Sequence, residues 1–264
     1  RRCGKDAEAL QVEWGQPIPP DQIDAKLKTG QFDAITVVHN ETSTGLMNHL
    51  DEIAAVMRKY PDVSFIVDSV SSMTATKIET DALGIDVLLA GSQKAWALPP
   101  GLAVFTVSDR ALKKAESIPG RGYYFDFVEF KRNHDKNMTP STPCLPQIYG
   151  LQHQLKKILA EGLEPRFARH RQMAEMTRAW ARSRGFAVFP KAGFESVTLT
   201  CVHNTRQIDV AELQKLMKER HRIQLDAGYG KLKGVAFRIA HMGDETPATT
   251  ADALAKLDDC LQAL

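Results

Sequence analysis

Gly91-Ser92-Gln93-Lys94-Ala95-Trp96-Ala97-Leu98-Pro99-Pro100-Gly101 follows a strand-like apolar run, Ile85-Asp86-Val87-Leu88-Leu89-Ala90. A lysine therefore ends a buried strand, just before a turn that two prolines and a glycine stiffen. Upstream, a second apolar run, Val63-Ser64-Phe65-Ile66-Val67, ends in Asp68. An acid and a lysine at the carboxyl ends of neighbouring strands can face one ligand, and the reading of the chain turns on this pair.

Working outward, Ala34-Ile35-Thr36-Val37-Val38-His39 is a third β-branched run and ends in the polar turn Asn40–Gly45. Asp51–Tyr60 carries Ile53, Val56 and Met57 on one helical face and stops at Pro61. A short helix is expected near Glu79–Gly84 and a further strand at Leu102–Val107. Strands alternating with helical patterns indicate βαβ units and a mostly parallel sheet sandwiched by helices, an α/β fold. Ligands of such sheets sit beyond the carboxyl ends of the strands. Three polar turns fall there: Asn40–Gly45, Asp68–Ser72 and Ser92–Lys94.

Toward the N-terminus, Leu10–Trp14 alternates like a short strand, and Asp21 suits the cap of a helix reaching Leu27. Residues 119–149 read as irregular, followed by helices at Leu145–Glu161 and Arg166–Arg184. The tail mixes strands (Ala187–Pro190, Val197–Val202, Arg222–Leu225, Val235–Ala240) with helices (Val210–Arg220, Thr249–Leu264). The expected organisation is a large α/β domain over 1–150, connecting helices over 151–175 and a small α+β C-terminal domain over 176–264.

Of the 264 residues 43% are hydrophobic and 25% charged, as in ordinary globular chains, and the net charge of +2 selects neither nucleic acid nor an anionic membrane. No apolar run approaches the roughly 18 residues of a spanning helix. Cys3, Cys144, Cys201 and Cys260 are widely spaced, with no metal-ligand pattern, which suggests plain thiols in a reducing compartment such as the cytoplasm. Arg1-Arg2-Cys3-Gly4 reads like the end of a helix, so the expectation is that a further segment precedes it, where any organellar address would lie.

A lysine at a strand end can be an ion-pair partner, a phosphate-binding point charge or a Schiff-base nucleophile. Lys94 has no P-loop pattern around it. Asp68 ends an apolar strand, where an unpaired carboxylate is costly, so it calls for a cation. A protonated pyridine nitrogen would serve; a helix N-cap or Mg²⁺ ligand is the alternative. Arg238 interrupts the apolar strand Phe237-Arg238-Ile239-Ala240. It is either an internal salt bridge or a fork for a substrate carboxylate. His241 reads as a structural histidine.

His39-Asn40-Glu41-Thr42-Ser43-Thr44-Gly45, Val67-Asp68-Ser69-Val70-Ser71-Ser72, Gly91-Ser92-Gln93-Lys94 with Pro99-Pro100-Gly101, and Arg238-Ile239-Ala240-His241-Met242-Gly243 occur in one order. Together they resemble the class V aminotransferases of PLP fold type I, above all the serine/alanine–glyoxylate branch. The resemblance implies pyridoxal 5'-phosphate as cofactor and Lys94 as its Schiff base and proton shuttle. It implies Asp68 at the pyridine nitrogen, Val70 on the ring face, Thr42 near the ring hydroxyl and Gln93 near the phosphate. Arg238 would take the substrate carboxylate. Tyr124 and Thr142 match positions that reach a neighbouring subunit's cofactor, which implies a homodimer with shared sites.

The implied activity is transamination of serine or alanine with glyoxylate or pyruvate. Phosphonate or phosphoserine aminotransferases, a cysteine desulfurase and a non-catalytic relative are the alternatives. A desulfurase needs a mobile cysteine, and Cys144 is stiffened by Pro143 and Pro146. In this family the phosphate-binding turn and the ring-stacking aromatic lie upstream of the strand ending at His39 and by spacing are expected before residue 1, so residues 1–264 alone are expected to bind the cofactor weakly. Ala240 stands where a glycine is common.

Overall fold

The computed structural model describes residues 4–264; the helix end expected at residues 1–3 lies outside them. In chain order the first part forms α1 (Pro20–Leu27), β1 (Ala34–Val38), a hairpin of β2 (Asn40–Glu41) and β3 (Leu46–Met47), and α2 (Leu50–Met57). β4 (Ser64–Asp68), β5 (Val87–Gly91), β6 (Ala103–Val107) and α3 (Asp109–Glu116) follow. The main sheet has the order β1-β4-β5-β6. β1, β4 and β5 run parallel, and β6 closes the edge antiparallel to β5.

Alternation sends Val37, Phe65, Val67 and Leu88 to one face, where Ile23 and Leu27 of α1 and Ile53, Ala54 and Met57 of α2 cover them. The opposite face is open. Thr36 is exposed, Ile66 is half-buried, and a groove of about 1350 Å³ runs along them and round the free edge of β1, where Leu10 and Ile18 pack toward the first core. Asp68, Lys94 and Arg238 do not line this groove. Asp86 ties the sheet's far end together. It is buried, accepts from Phe65 N at 2.8 Å and Ser108 Oγ at 2.7 Å, and pairs with Arg110.

The second half contains α4 (Phe127–His134), α5 (Leu145–Glu161), α6 (Leu163–Ser183), β7 (Ala187–Val188), β8 (Leu199–His203), α7 (Val210–His221), β9 (Ala236–Ala240) and α8 (Pro247–Leu261). β7, β8 and β9 form a small antiparallel sheet. Its core joins Val202, Leu213, Met217, Phe237 and Leu257 with Trp180 of α6.

Four local expectations change. Leu10–Trp14 is irregular: Leu10 packs on the first core without any ladder partner, and Gly15 turns the chain at φ 85°. Glu79–Gly84 is a run of turns, too short to nucleate a helix. Arg222–Leu225 is no strand, because Arg222 adopts the left-handed conformation (φ 57°) that ends α7. Within the stretch read as irregular, α4 forms because Asp126 caps Val128 N at 3.0 Å and Phe127 and Phe130 pack against Phe105.

His39, His170 and His241 are buried. Burial holds their imidazoles down, to about 4 for His39 and His170 and about 3 for His241. The folded chain keeps them neutral while the unfolded chain takes up protons near pH 6.5. Their stabilisation is therefore present above pH 6.5 and lost as pH falls toward 4 and 3. His49, raised by Glu52, opposes them, but it is only half-buried. Thermal unfolding should accordingly show the melting temperature dropping between pH 6.5 and 4.5, by roughly 1.4 kcal/mol of stability per unit for each titrating imidazole at most. A flat profile over that window would contradict neutral burial of these side chains.

Candidate active site

β1 and β4 end side by side, and His39 N donates to the Asp68 carbonyl at 2.8 Å. The chain then turns through β2 and β3. Glu41 Oε1 accepts from Ser43 N at 2.8 Å, and Gly45 takes φ 68° with no room for a Cβ, which would meet Cys201 at 3.0 Å. This turn presents Thr42, whose Oγ1 lies 2.5 Å from Ser71 Oγ in the loop after Asp68. The Asp68 carboxylate accepts from Val70 N at 2.9 Å through Oδ1. Among the described residues it pairs with no cation, although it is half-buried.

Ser92 fixes the turn that follows β5. Its hydroxyl donates to Pro99 O at 2.7 Å and accepts from Leu102 N at 3.2 Å, which closes the turn carrying Lys94 onto the end of β5. Ala97 sits at φ 56° and Thr74, opposite it, at φ 72°. Left-handed conformations of non-glycine residues typically cost about 1–3 kcal/mol each and persist only where the surroundings hold them. The Lys94 amine is half-buried and, among the described residues, makes no hydrogen bond or ion pair. Burial lowers its pKa first, the Arg238 charge lowers it further, and Asp226 partly offsets both.

Arg238 reaches this place from β9. Its Nε and Nη2 donate to Asp226 at 2.9 and 2.5 Å, and Nη1 donates to Thr42 O at 2.7 Å. It is thus an internal salt bridge that also holds the Thr42 turn. One N–H on each of Nη1 and Nη2 is left over for a ligand. The guanidinium holds the Asp226 carboxyl below the usual carboxylate range.

The expected site residues separate into two groups. Thr42, Val70 and Lys94, on the loops after β1, β4 and β5, come together with Asp68 at the end of β4 and Arg238 of β9 at the carboxyl ends of the parallel strands. Gln93 is exposed, and its amide lies against Gly91, where a Cβ would come within 2.5 Å of Oε1. Tyr124 and Thr142 are exposed. His241 is structural as read, 2.9 Å from Thr200 Oγ1. Two residues escaped the sequence reading. Asp226 carried only the signal of an acid in the segment between α7 and Arg238. Asn40 is 3% exposed with both amide atoms unpartnered, between His39 and the Thr42 turn.

An amine without an anion, a carboxylate without a cation and an orphaned buried amide at one strand edge fit a ligand that carries an aldehyde and a protonated ring. Pyridoxal phosphate has both, so the residues present suit the cofactor. The architecture is that of PLP fold type I. The alanine–glyoxylate aminotransferase of a Nostoc species superposes with a TM-score of 0.92 at 25% identity, over 98% of this chain and 70% of that one. Residues 1–238 match the family described as aminotransferase class-V, and the chain belongs to that family. An uncharacterized aminotransferase of Methanocaldococcus jannaschii is 37% identical over 90% of this chain and 62% of its own length. A serine–glyoxylate aminotransferase of Methylorubrum extorquens is 34% identical over 97% of this chain and 66% of its own length. The chain thus spans about two thirds of the length of such relatives.

The charges around Lys94 give its amine a signed response. Arg238→Met should raise the Lys94 pKa and Asp226→Asn should lower it, read by trace acetylation of the cofactor-free chain across pH with mass mapping of Lys94. Shifts in the same direction, or none, would contradict the proximity of these three groups.

Proposed function

We propose that this chain forms the Lys94-bearing part of a pyridoxal phosphate-dependent aminotransferase that works on serine or alanine with glyoxylate or pyruvate. The observation that carries the reading is the pair of unneutralised charges, Lys94 and Asp68, on neighbouring strand ends. The names of the glyoxylate-using relatives support the substrate class.

When bound, pyridoxal phosphate supplies a protonated ring that withdraws electrons from the substrate Cα. Asp68 would hold the proton on the ring nitrogen, its Oδ1 already anchored by Val70 N. Val70 would pack on the ring face, Thr42 and Asn40 would meet its polar edge, and Gln93 would reach the phosphate. Lys94 would anchor the cofactor and take and return the Cα proton, a task that burial and the Arg238 charge favour by lowering its pKa from that of an ordinary lysine. The free N–H groups of Arg238 would take the α-carboxylate, with Asp226 keeping the guanidinium in register.

A lyase reading needs a reactive thiol. Burial pushes the Cys201 thiol up to about 12, and Cys144 sits beside α5 behind Pro143. Neither suits that chemistry.

The exposed apolar side chains support a homodimer. Leu145, Ile148, Leu155 and Leu159 follow a helical spacing along α5, and Phe125 is 83% exposed nearby in sequence to Tyr124. Covering this stripe with a second copy would bring Tyr124 and Thr142 toward the neighbouring site.

Two outcomes are expected. With pyridoxal phosphate in excess, to offset the weak binding expected of residues 1–264 alone, the chain should show a visible band beyond that of the free cofactor and lose it with serine or alanine. Lys94→Ala should abolish the band and slow amino transfer by about 10²–10⁴-fold or more; a band or turnover surviving that substitution would overturn the reading. Light scattering should give a dimer that Leu159→Glu shifts toward monomer, whereas a wild-type monomer would remove the shared-site proposal.

A further inference from the structure

Arg166, in the first turn of α6, is 1% exposed and heads the fully buried side chains by volume. Burial lowers its pKa despite the Glu161 carboxylate at the end of α5, which accepts from Nη1 at 3.0 Å. Its other two nitrogens serve two different loops. Nε donates to Thr74 O at 2.9 Å and Nη2 donates to Ala95 O at 2.7 Å. Ala95 follows Lys94 directly, and Thr74 lies just beyond the Asp68–Ser72 turn. The Thr74 hydroxyl donates to the same Ala95 carbonyl at 3.0 Å. Thr74 and Ala97, the two left-handed residues of these loops, therefore flank the point where the guanidinium binds.

The same helix face also holds the chain that follows Arg238. Arg169 shares Glu161 with Arg166, and donates to Gly243 O at 3.2 Å and to Glu245 O. Gly243 N in turn donates to His170 Nε2 at 3.1 Å. Gly243 presses on the Lys94 turn: a Cβ there would lie 2.9 Å from Ala97 Cβ and 3.6 Å from Lys94 O.

A buried guanidinium is expensive to desolvate, and an apolar side chain of similar volume would fill the same space more cheaply. What only a guanidinium does is donate along fixed directions to several acceptors at once. Here those acceptors are the backbones of the Asp68 loop and the Lys94 loop.

We propose that Arg166 is a positioning residue that fixes the Lys94 amine relative to the Asp68 loop. It acts through the Thr74 and Ala95 carbonyls and touches no reacting atom. Glu161 sets its orientation and couples it to Arg169, and hence to the segment after Arg238. The proposal concerns the amine that the functional reading makes the reacting group, but it is tested without cofactor, so either can fail alone.

The test is trace acetylation of Lys94 with acetic anhydride across pH, alongside melting temperatures, for the wild type, Arg166→Met, Arg166→Lys and a core control, Leu213→Ala. Arg238 and Asp226 are the charges acting on the amine. Loosening the loop should free the amine from burial and from Arg238. In Arg166→Met the Lys94 titration should move up toward an ordinary lysine, cutting its reactivity near neutral pH by about threefold or more. Arg166→Lys, a point donor, should give a smaller shift in the same direction. Leu213→Ala should lower the melting temperature and leave Lys94 unmoved. An unchanged Lys94 titration in Arg166→Met, or an equal shift in Leu213→Ala, overturns the proposal. If Arg166→Met does not fold, a wild-type titration in Arg166→Lys overturns it.

Discussion

Lys94 and Asp68 are half-buried at the ends of adjacent strands, and the fold neutralises neither with the other. Leaving an amine and a carboxylate partly desolvated and unpaired is unfavourable, so the surrounding structure must hold them apart. Ser92 does this on one side by tying Pro99 O to the base of the Lys94 turn. Val70 N and the Thr42–Ser71 contact do it on the other. The orphaned Asn40 amide is a third unsatisfied group at the same edge. Unspent electrostatic and hydrogen-bonding capacity concentrated at one place is what a ligand-binding edge looks like before its ligand arrives.

The small sheet is part of that edge. Arg238 lies 196 residues along the chain from Thr42 yet donates to its carbonyl. Asp226 occupies the side of the guanidinium that points away from Thr42, which fixes the plane of the fork and limits a bound carboxylate to the remaining N–H groups. Its negative charge also moderates the field of Arg238 at Lys94. One ion pair thus joins β9 to the β2–β3 hairpin and tunes the amine.

The parts of the molecule governed by local periodicity were legible in the sequence. The strands ending at Val38, Asp68 and Gly91 and helix α5 follow from β-branched runs, helical apolar faces and glycine or proline stops. Lys94 and Asp68 stood out because polar residues ended those strands. What escaped depends on tertiary partners. Leu10–Trp14 has strand-like alternation but no neighbouring strand. The run after α7 looks β-branched, yet Arg222 must turn left-handed to end the helix. The choice between an internal partner and a substrate for Arg238 needed the position of Asp226, twelve residues away on a segment that meets β9 through a single isolated bridge. Arg166 read only as the start of the helix expected to reach Arg184, because nothing local marks its two carbonyl acceptors.

The claim on which the account rests is that Lys94 is the amine that meets the cofactor. Reductive trapping of pyridoxal phosphate with borohydride, followed by peptide mapping of the intact protein, tests it most directly. The account predicts a single dominant adduct on Lys94. An adduct confined to other lysines, with Lys94 unmodified, would contradict it.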